Sequence, residues 1–142
     1  MSDIYTWSIS KELFKETFKG RPVTLMGNYI NFGEVSVRYF QSDCGTVQLA
    51  NARGATPEVL DDVRLFCRKS GYSVIIGTLT GVETKHPYLT SISKIVAMYE
   101  KAGYTVTSLG NSHRNPQKKH YLVHLRIPES EFKVFCYDKE ES

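Results

Sequence analysis

Two histidines near the end of the chain are the first residues whose type and spacing could do chemistry. His120 and His124 lie four residues apart in a segment, residues 119–127, in which polar and apolar side chains alternate as in a β-strand. At the usual rise of a strand, this spacing separates them by about 13 Å, too far for both to bind one metal ion. The three cysteines are widely spaced and lack a Cys-x-x-Cys pattern. We therefore predict no metal site and no disulfide framework.

Positive charge is concentrated just before and within the same segment. Residues 111–128 carry Arg114, Lys118, Lys119 and Arg126 and no acid, whereas residues 129–142 are mainly acidic. This asymmetry is typical of a face that meets an anionic ligand, although a net charge of +3 is too small to indicate nucleic acid by itself. Seven of the nine tyrosines could stack on single-stranded nucleic acid, but such residues more often fill a β-rich core. The seven are Tyr29, Tyr39, Tyr72, Tyr88, Tyr104, Tyr121 and Tyr137. Nucleic acid is not the partner we expect.

Composition and missing motifs exclude several classes of protein. The sequence has no Gly-x-Ser-x-Gly elbow, no Walker loop and no dinucleotide fingerprint. No apolar run reaches the roughly 20 residues of a membrane span, and residues 1–5 do not resemble a secretory signal. With 41% hydrophobic and 23% charged residues among 142, the chain is predicted to be one domain over residues 1–142, located in the cytoplasm.

The elements that must position any site begin with strands. A short strand is predicted at residues 3–9, a helix at Lys11–Lys19 after Ser8 or Ser10 as its cap, and a strand beginning at Val23. Segments 34–42 and 46–52 flank Asp43-Cys44-Gly45, whose residues favour a tight turn. This pattern predicts an antiparallel hairpin that places Val35, Val37 and Tyr39 on one face, and Val47 and Leu49 on one face of its partner.

The second half repeats an α-β unit. Thr56-Pro57-Glu58 predicts a helix start, with Thr56 as the cap, and Gly71 predicts its end. Ser91 and Gly103 bound a second helix in the same way. The uncharged segment 72–79 predicts a central strand buried on both faces. Further strands are predicted at 104–109 and 119–127, and a final edge strand at Phe132–Tyr137.

The end of the second helix carries a recognisable motif. The segment Val96-Ala97-Met98-Tyr99-Glu100-Lys101-Ala102-Gly103-Tyr104 resembles the signature of the GNAT superfamily of N-acetyltransferases, in which an apolar residue precedes Tyr, Glu, Lys, any residue, Gly and an aromatic residue. Together with the order of the elements, the resemblance covers about residues 34–127. It implies a GNAT-like α/β fold with a central mixed sheet flanked by helices.

The resemblance also implies a cofactor site for acetyl-CoA. In this family, the strand before the third helix separates from its neighbour to pair with pantetheine, and the following loop donates backbone amides to pyrophosphate, as helix N-termini do for anions in general. The corresponding residues here are Leu49, Ala50, Asn51, Arg53, Gly54, Ala55 and Thr56. The family loop opens with Gln or Arg, whereas this chain has Asn51, and Pro57 removes one amide. Arg53, Lys118 and Lys119 are candidate contacts to the phosphates.

For catalysis, the resemblance implies that Tyr99 protonates the leaving thiolate while a deprotonated amine attacks the thioester. Glu83, just past the central strand, is the candidate general base by position, and Glu34 is the second choice. Tyr99 also lies on the apolar stripe of its helix, so a packing role remains the alternative.

Two functions follow from the resemblance. The first is an N-acyltransferase that moves an acetyl group from acetyl-CoA to an amine of a protein or small molecule. The alternative is a catalytically inactive GNAT-fold protein that binds a partner or host protein, since small divergent GNAT-like chains, some from phage genomes, act as binding or structural proteins. The departures at Asn51 and Pro57, together with Ile92 where the family often has Asn, are what the alternative predicts.

Overall fold

A computed structural model describes residues 9–26, 29–39 and 45–131 of the chain, with Tyr39 described by its backbone alone. Three sequence predictions fall beyond these ranges. The strand predicted at residues 3–9 lies outside the described residues except for Ile9, and the turn at Asp43-Cys44 and the edge strand at Phe132–Tyr137 also lie outside them.

The helices begin and end at residues whose side chains or backbone conformation favour a helix terminus. Helix α1 spans Lys11–Thr17, α2 spans Pro57–Ser70 and α3 spans Ile92–Lys101. Ser10 caps α1 by accepting a hydrogen bond from the Leu13 amide, and the Thr56 hydroxyl accepts one from the Val59 amide at 3.2 Å. Gly71 ends α2 in the left-handed conformation, with φ of 85°. The predicted caps at Ser10, Thr56 and Gly71 are confirmed.

Seven strands form one mixed sheet in the order β1-β2-β3-β4-β5-β7-β6. Their bounds are β1 Val23–Met26, β2 Tyr29–Phe32, β3 Val35–Tyr39, β4 Thr46–Leu49, β5 Val74–Gly81, β6 Thr105–Asn111 and β7 Lys119–Arg126. Every neighbouring pair is antiparallel except β4 and β5, which are parallel. The predicted fold class, a mixed sheet flanked by helices, is confirmed. Strand β2 is the one element of this sheet that the sequence patterns above do not predict.

One face of the sheet, here called the inner face, carries the core. Its strand residues alternate along each strand with half-buried or exposed ones, and the fully or nearly buried set includes Ile30, Phe32, Val35, Val37, Val47, Leu49, Ile75, Leu79, Val123 and Leu125. Helix α2 packs here through Phe66, whose ring lies 6.3 Å from that of Phe32. Helix α3 packs here as well, because Ile92 lies against Gly81. The pairing of β3 with β4 confirms the predicted antiparallel hairpin.

The prediction that β5 is buried on both faces is wrong. Ile75 and Leu79 are fully buried, but Ile76 on the opposite face is half-buried and Thr78 is exposed. The run lacks charge because Ile and Thr are β-branched and suit a pleated strand on either face, so the absence of charge does not establish burial.

A buried carboxylate on α2, Asp62, makes the stability of the fold depend on pH. Asp62 is nearly inaccessible and pairs with the Arg21 guanidinium at 2.8 Å, yet its pKa is raised, mainly by desolvation, which outweighs the attraction of Arg21. A carboxyl whose pKa is higher in the folded state favours folding below that pKa and costs stability as the pH rises through it. We expect Asp62→Asn to change the free energy of unfolding at pH 7 by less than about 1 kcal/mol, despite losing the ion pair.

The partner substitution separates this explanation from a simple stabilising ion pair. Arg21→Met leaves the Asp62 carboxylate buried without its cation and is expected to cost about 1–3 kcal/mol at pH 7, and less at pH 4 where the carboxyl takes up a proton. Urea denaturation of both variants at the two pH values measures this. A larger loss for Asp62→Asn than for Arg21→Met would contradict it.

Candidate active site

The pairing between the parallel strands β4 and β5 ends well before β5 does. They pair only from Thr46 with Val74 to Gln48 with Ile76, after which β5 continues to Gly81. Strand β4 instead follows β3, since Leu49 pairs with Val37 and the Ala50 amide donates to the Ser36 carbonyl at 2.6 Å. We call the space between residues 49–51 and residues 77–81 the β4–β5 wedge. Ligands of open α/β sheets bind outside the carboxyl ends of such strands.

A short 3-10 turn, Ala52–Gly54, lies across β5 at this wedge. A Cβ atom on Gly77 would lie 3.3 Å from the Cβ atoms of both Ala52 and Leu49, so only glycine admits this approach comfortably. Further along β5, the Arg53 guanidinium carbon would lie 3.7 Å from a Cβ atom on Gly81. The turn therefore rests on the two glycines of β5, with Ala52 buried and Arg53 exposed.

The turn is held on its other side by Asn51. Its side-chain amide donates to the Glu34 carbonyl at 3.0 Å, and a Cβ atom on Gly54 would come within 2.8 Å of the same nitrogen. The exposed Asn51 side chain thus ties the entry of the loop to β3, and the absence of a side chain at Gly54 leaves room for it. The fallback base Glu34 contributes its backbone carbonyl here.

Helix α2 starts at Pro57, three residues after the turn ends at Gly54. The amides of Arg53, Thr56 and Glu58 have no acceptor among the described residues, and Pro57 has no amide to offer. Unpaired amides and the positive end of a helix dipole attract an anion, and Arg53 adds a full charge next to them. Ala55 is buried and donates to the Ala52 carbonyl.

Tyr99 reaches the same turn from α3. Its side chain is 0% exposed, and its hydroxyl donates to the Ala52 carbonyl at 2.6 Å. Its ring packs edge to face on Tyr104 with centroids 5.0 Å apart. Burial raises the pKa of Tyr99 above its ordinary value of 10.0, so the hydroxyl stays protonated at any physiological pH. The structure thus joins Tyr99 to the predicted cofactor loop, in a contact that spans 47 positions of sequence.

Glu83 lies two residues beyond Gly81, at the carboxyl end of β5, and serves the start of α3. Its carboxylate accepts hydrogen bonds from the Ser93 amide at 3.1 Å and the Ser93 hydroxyl at 2.9 Å. The side-chain bond from Ser93 is the main reason that the pKa of Glu83 is lowered. A lowered pKa makes this carboxylate a weaker base.

The predicted cap Ser91 has the backbone position of an N-cap, but its hydroxyl bonds the backbone of Thr84 instead of an α3 amide.

The residues predicted for the site thus fall into two groups. Leu49 to Thr56 form a continuous border of the wedge, joined by Tyr99, whereas Glu83 stands at the end of β5 and is engaged by Ser93. Sequence patterns do not predict the roles of Ala52, Gly77 and Ser93. Two glycines four residues apart within a β-branched strand were the available signal, since they mark a close approach by another part of the chain.

His120 is bound within the sheet. Its Nδ1 atom lies 2.9 Å from the Thr80 hydroxyl on the neighbouring strand. The described part of the chain holds no group of three or more His, Cys, Asp or Glu side chains that could bind a metal. Within the same residues, no helix is long and apolar enough to cross a bilayer.

Comparisons with known proteins give a weak likeness. No protein-family model and no curated protein matches the chain. Among solved structures, the chain is similar to a protein from Desulfovibrio desulfuricans that has been assigned to the GNAT family of acetyltransferases, with a TM-score of 0.41 and 16% identity over 70% of this chain and 67% of that one. At these values the likeness carries no argument about activity, which has to come from the site.

Proposed function

We propose that this protein is an acyl-CoA-dependent N-acyltransferase of the GNAT type, acting in the cytoplasm. The observation that carries the proposal is the β4–β5 wedge, where two parallel strands separate next to a helix N-terminus with unpaired amides. This is the arrangement that an extended thioester ending in phosphates requires, namely a strand edge for the arm and a positive helix end for the anion.

The residues present fit such a cofactor. The amides of Thr56 and Glu58 and the guanidinium of Arg53 would hold the pyrophosphate, because all three are donors without a described acceptor. Leu49, Ala50 and Asn51 would border the acyl arm, since β4 has already left β5 at this point. Bound acetyl-CoA would supply the activated acyl group.

The chemistry assigned to the chain is two proton transfers around one substitution. A deprotonated amine forms the new C–N bond as the C–S bond breaks, and Tyr99 gives its proton to the departing sulfur. The amine's proton leaves to water or to Glu83, whose lowered pKa makes it the weaker choice. For Tyr99 to act, its hydroxyl must leave the Ala52 carbonyl, so turn 52–54 must shift when the cofactor enters.

A specific observation favours a second function, that of a non-catalytic binding protein with the same fold. The Tyr99 hydroxyl is fully buried and already bonded to Ala52, and Ala52 occupies the base of the wedge against Gly77. In this form the turn fills part of the space that an acyl group needs. Such a protein would bind a partner protein without turnover.

Titration with acetyl-CoA tests the proposal directly, and Arg53 provides the variant. We expect Arg53→Ala to weaken acetyl-CoA binding about tenfold, the loss of one charge-assisted contact. Isothermal titration calorimetry measures it at low salt, where exposed charges act most strongly.

The matched control is Arg126→Ala. Arg126 is also an exposed arginine, but it pairs with Val74 at the opposite end of β5 from Gly81. Its removal should leave the affinity unchanged. Absence of acetyl-CoA heat with the unmodified protein would defeat the proposal, whereas binding without release of free thiol over a panel of amines would favour the second function.

A further inference from the structure

Five cations lie on three segments that adjoin the carboxyl end of β5. Lys119 begins β7 opposite Gly81, and loop 112–118 folds back beside it, since the Ser112 amide donates to the Lys118 carbonyl at 2.9 Å. The start of α3 is tied to the same place, because the Ile92 amide donates to the Val82 carbonyl. These segments carry Lys85, Lys94, Arg114, Lys118 and Lys119, here called the basic rim.

The described residues place one acid beside the basic rim, Glu83, whose pKa is lowered mainly by its hydrogen bond from Ser93 and also by Lys119. None of the rim's five cations forms an ion pair with a carboxylate of the described residues. Within segments 82–94 and 111–119, Glu83 is the single acid, and its oxygens accept hydrogen bonds from Ser93. Lys119 pairs with Gly81, where the Arg53 guanidinium also lies, so Lys118 and Lys119 could serve the phosphates of a cofactor, as the sequence predicts. Lys85, Lys94 and Arg114 are not needed for that contact, and their positive charge favours a second anionic molecule.

An exposed apolar tip lies between Lys85 and Lys94. Tyr88 is 88% exposed and Leu89 is 60% exposed. The backbone of the tip forms a turn, in which the Leu89 amide donates to the His86 carbonyl at 3.2 Å and the Tyr88 amide donates to Nδ1 of the His86 ring. At its base, the Ser91 hydroxyl bonds both the amide and the carbonyl of Thr84. An exposed tyrosine beside an aliphatic residue is typical of a contact at a protein interface.

We infer that the basic rim and its apolar tip dock an acidic polypeptide segment, which under the proposed function is the amine-bearing acceptor. The inference rests on the proposed function only for that last role. A polypeptide is favoured over single-stranded nucleic acid because nucleic acid binds along several stacking rings, while the tip offers one exposed tyrosine next to a leucine. Carboxylates around an apolar residue complement both features.

A fluorescein-labelled peptide of glutamates around one central leucine is the probe, measured by anisotropy in the absence of acetyl-CoA. We expect salt-sensitive binding, weakened about tenfold by Lys94→Glu. Lys101→Glu is the matched control, because Lys101 lies two turns further along the same face of α3, is equally exposed and is distant from the rim. A carboxylate near the N-terminus of α3 favours the helix, so unfolding would not explain a loss at Lys94.

Five outcomes separate the possibilities. The inference would be overturned if a matching lysine peptide bound the protein as tightly as the glutamate peptide does. It would also be overturned if Lys94→Glu and Lys101→Glu weakened binding of the glutamate peptide equally. Tighter binding of a labelled oligo-dT strand would also overturn it in favour of nucleic acid. If Lys94→Glu keeps its affinity for acetyl-CoA, the docking site is separate from the cofactor site. If the unmodified protein binds the peptide but does not bind acetyl-CoA, the docking inference is supported and the acyltransferase proposal is defeated.

Discussion

Replacing Tyr99 by phenylalanine is expected to slow acyl transfer by about 10²–10⁴-fold, the usual contribution of a general acid. The substitution removes only the hydroxyl that would protonate the departing thiolate and keeps the buried ring against Tyr104. Acetyl-CoA affinity should change much less, because the amides and Arg53 that would hold the phosphates are untouched. Release of free thiol at saturating acetyl-CoA and amine measures the rate.

Tyr104 provides the matched control. It is also a buried tyrosine in the same ring pair, but its hydroxyl has no hydrogen-bond partner among the described residues. Tyr104→Phe is therefore expected to keep the rate and to leave stability unchanged or slightly higher. Tyr99→Phe should cost about 0.5–1.5 kcal/mol of stability, since one hydrogen bond is lost while the Ala52 carbonyl keeps the Ala55 amide as a donor. That stability loss with an unchanged rate would assign Tyr99 a structural role.

The direction of the pKa shift adds a pH dependence. Burial raises the pKa of Tyr99, so the acid remains protonated through the neutral and mildly alkaline range. The rate should therefore show no decline due to Tyr99 as the pH rises from 7 to about 10, its ordinary value. A decline confined to the unmodified protein and absent from Tyr99→Phe would mean that the hydroxyl titrates lower than its burial implies.

Phe66→Ala is expected to have the largest effect on stability, a loss of about 3–5 kcal/mol. Phe66 is fully buried, and its ring contacts Phe14, Phe32 and Tyr72 with centroids 6.5, 6.3 and 6.0 Å away. It thus links α1, the sheet and the end of α2, and its removal opens a cavity where all three meet. Since a domain is stable by only about 5–15 kcal/mol, this variant should unfold at much lower denaturant concentration.

Tyr88→Ala is the control for this effect. It deletes an aromatic ring of similar size at a position that is 88% exposed, so its cost should stay within about 0.5 kcal/mol. Urea unfolding followed by far-UV circular dichroism compares the two variants. Equal losses would show that Phe66 is less integrated into the core than its contacts indicate.

The sequence predicts those parts of the fold that depend on residues close together in the chain. Thr56, Pro57 and Gly71 bound α2 because capping and left-handed geometry act within a few residues. Alternation also predicted the faces of β7, where Val123 and Leu125 are buried and Arg126 is exposed. Strand β2 is not predicted, although the buried Ile30 and Phe32 alternate with half-buried residues and Gly33 follows, because four residues give too short a pattern.

The candidate site was harder to predict because it depends on contacts between distant residues. Nothing near Tyr99 in sequence indicates that its hydroxyl bonds Ala52, and nothing near Glu83 indicates that Ser93 engages its carboxylate. The lack of charge in β5 was also misleading, since it reflects β-branched residues and not burial on both faces. The roles of Tyr99 and Glu83 in catalysis remain predictions.

The three-pair contact between β4 and β5 also bears on how the chain folds. Strands β1 to β4 pair in chain order as antiparallel neighbours, β5 pairs with β7 at eight positions and β7 pairs with β6 at six, so each half closes mainly through its own segment of sequence. The parallel junction closes a longer segment of chain, because a parallel pair requires a crossover, which here contains α2. The two halves should thus exchange amide hydrogens as separate cooperative units, and the amides at the wedge should open earliest.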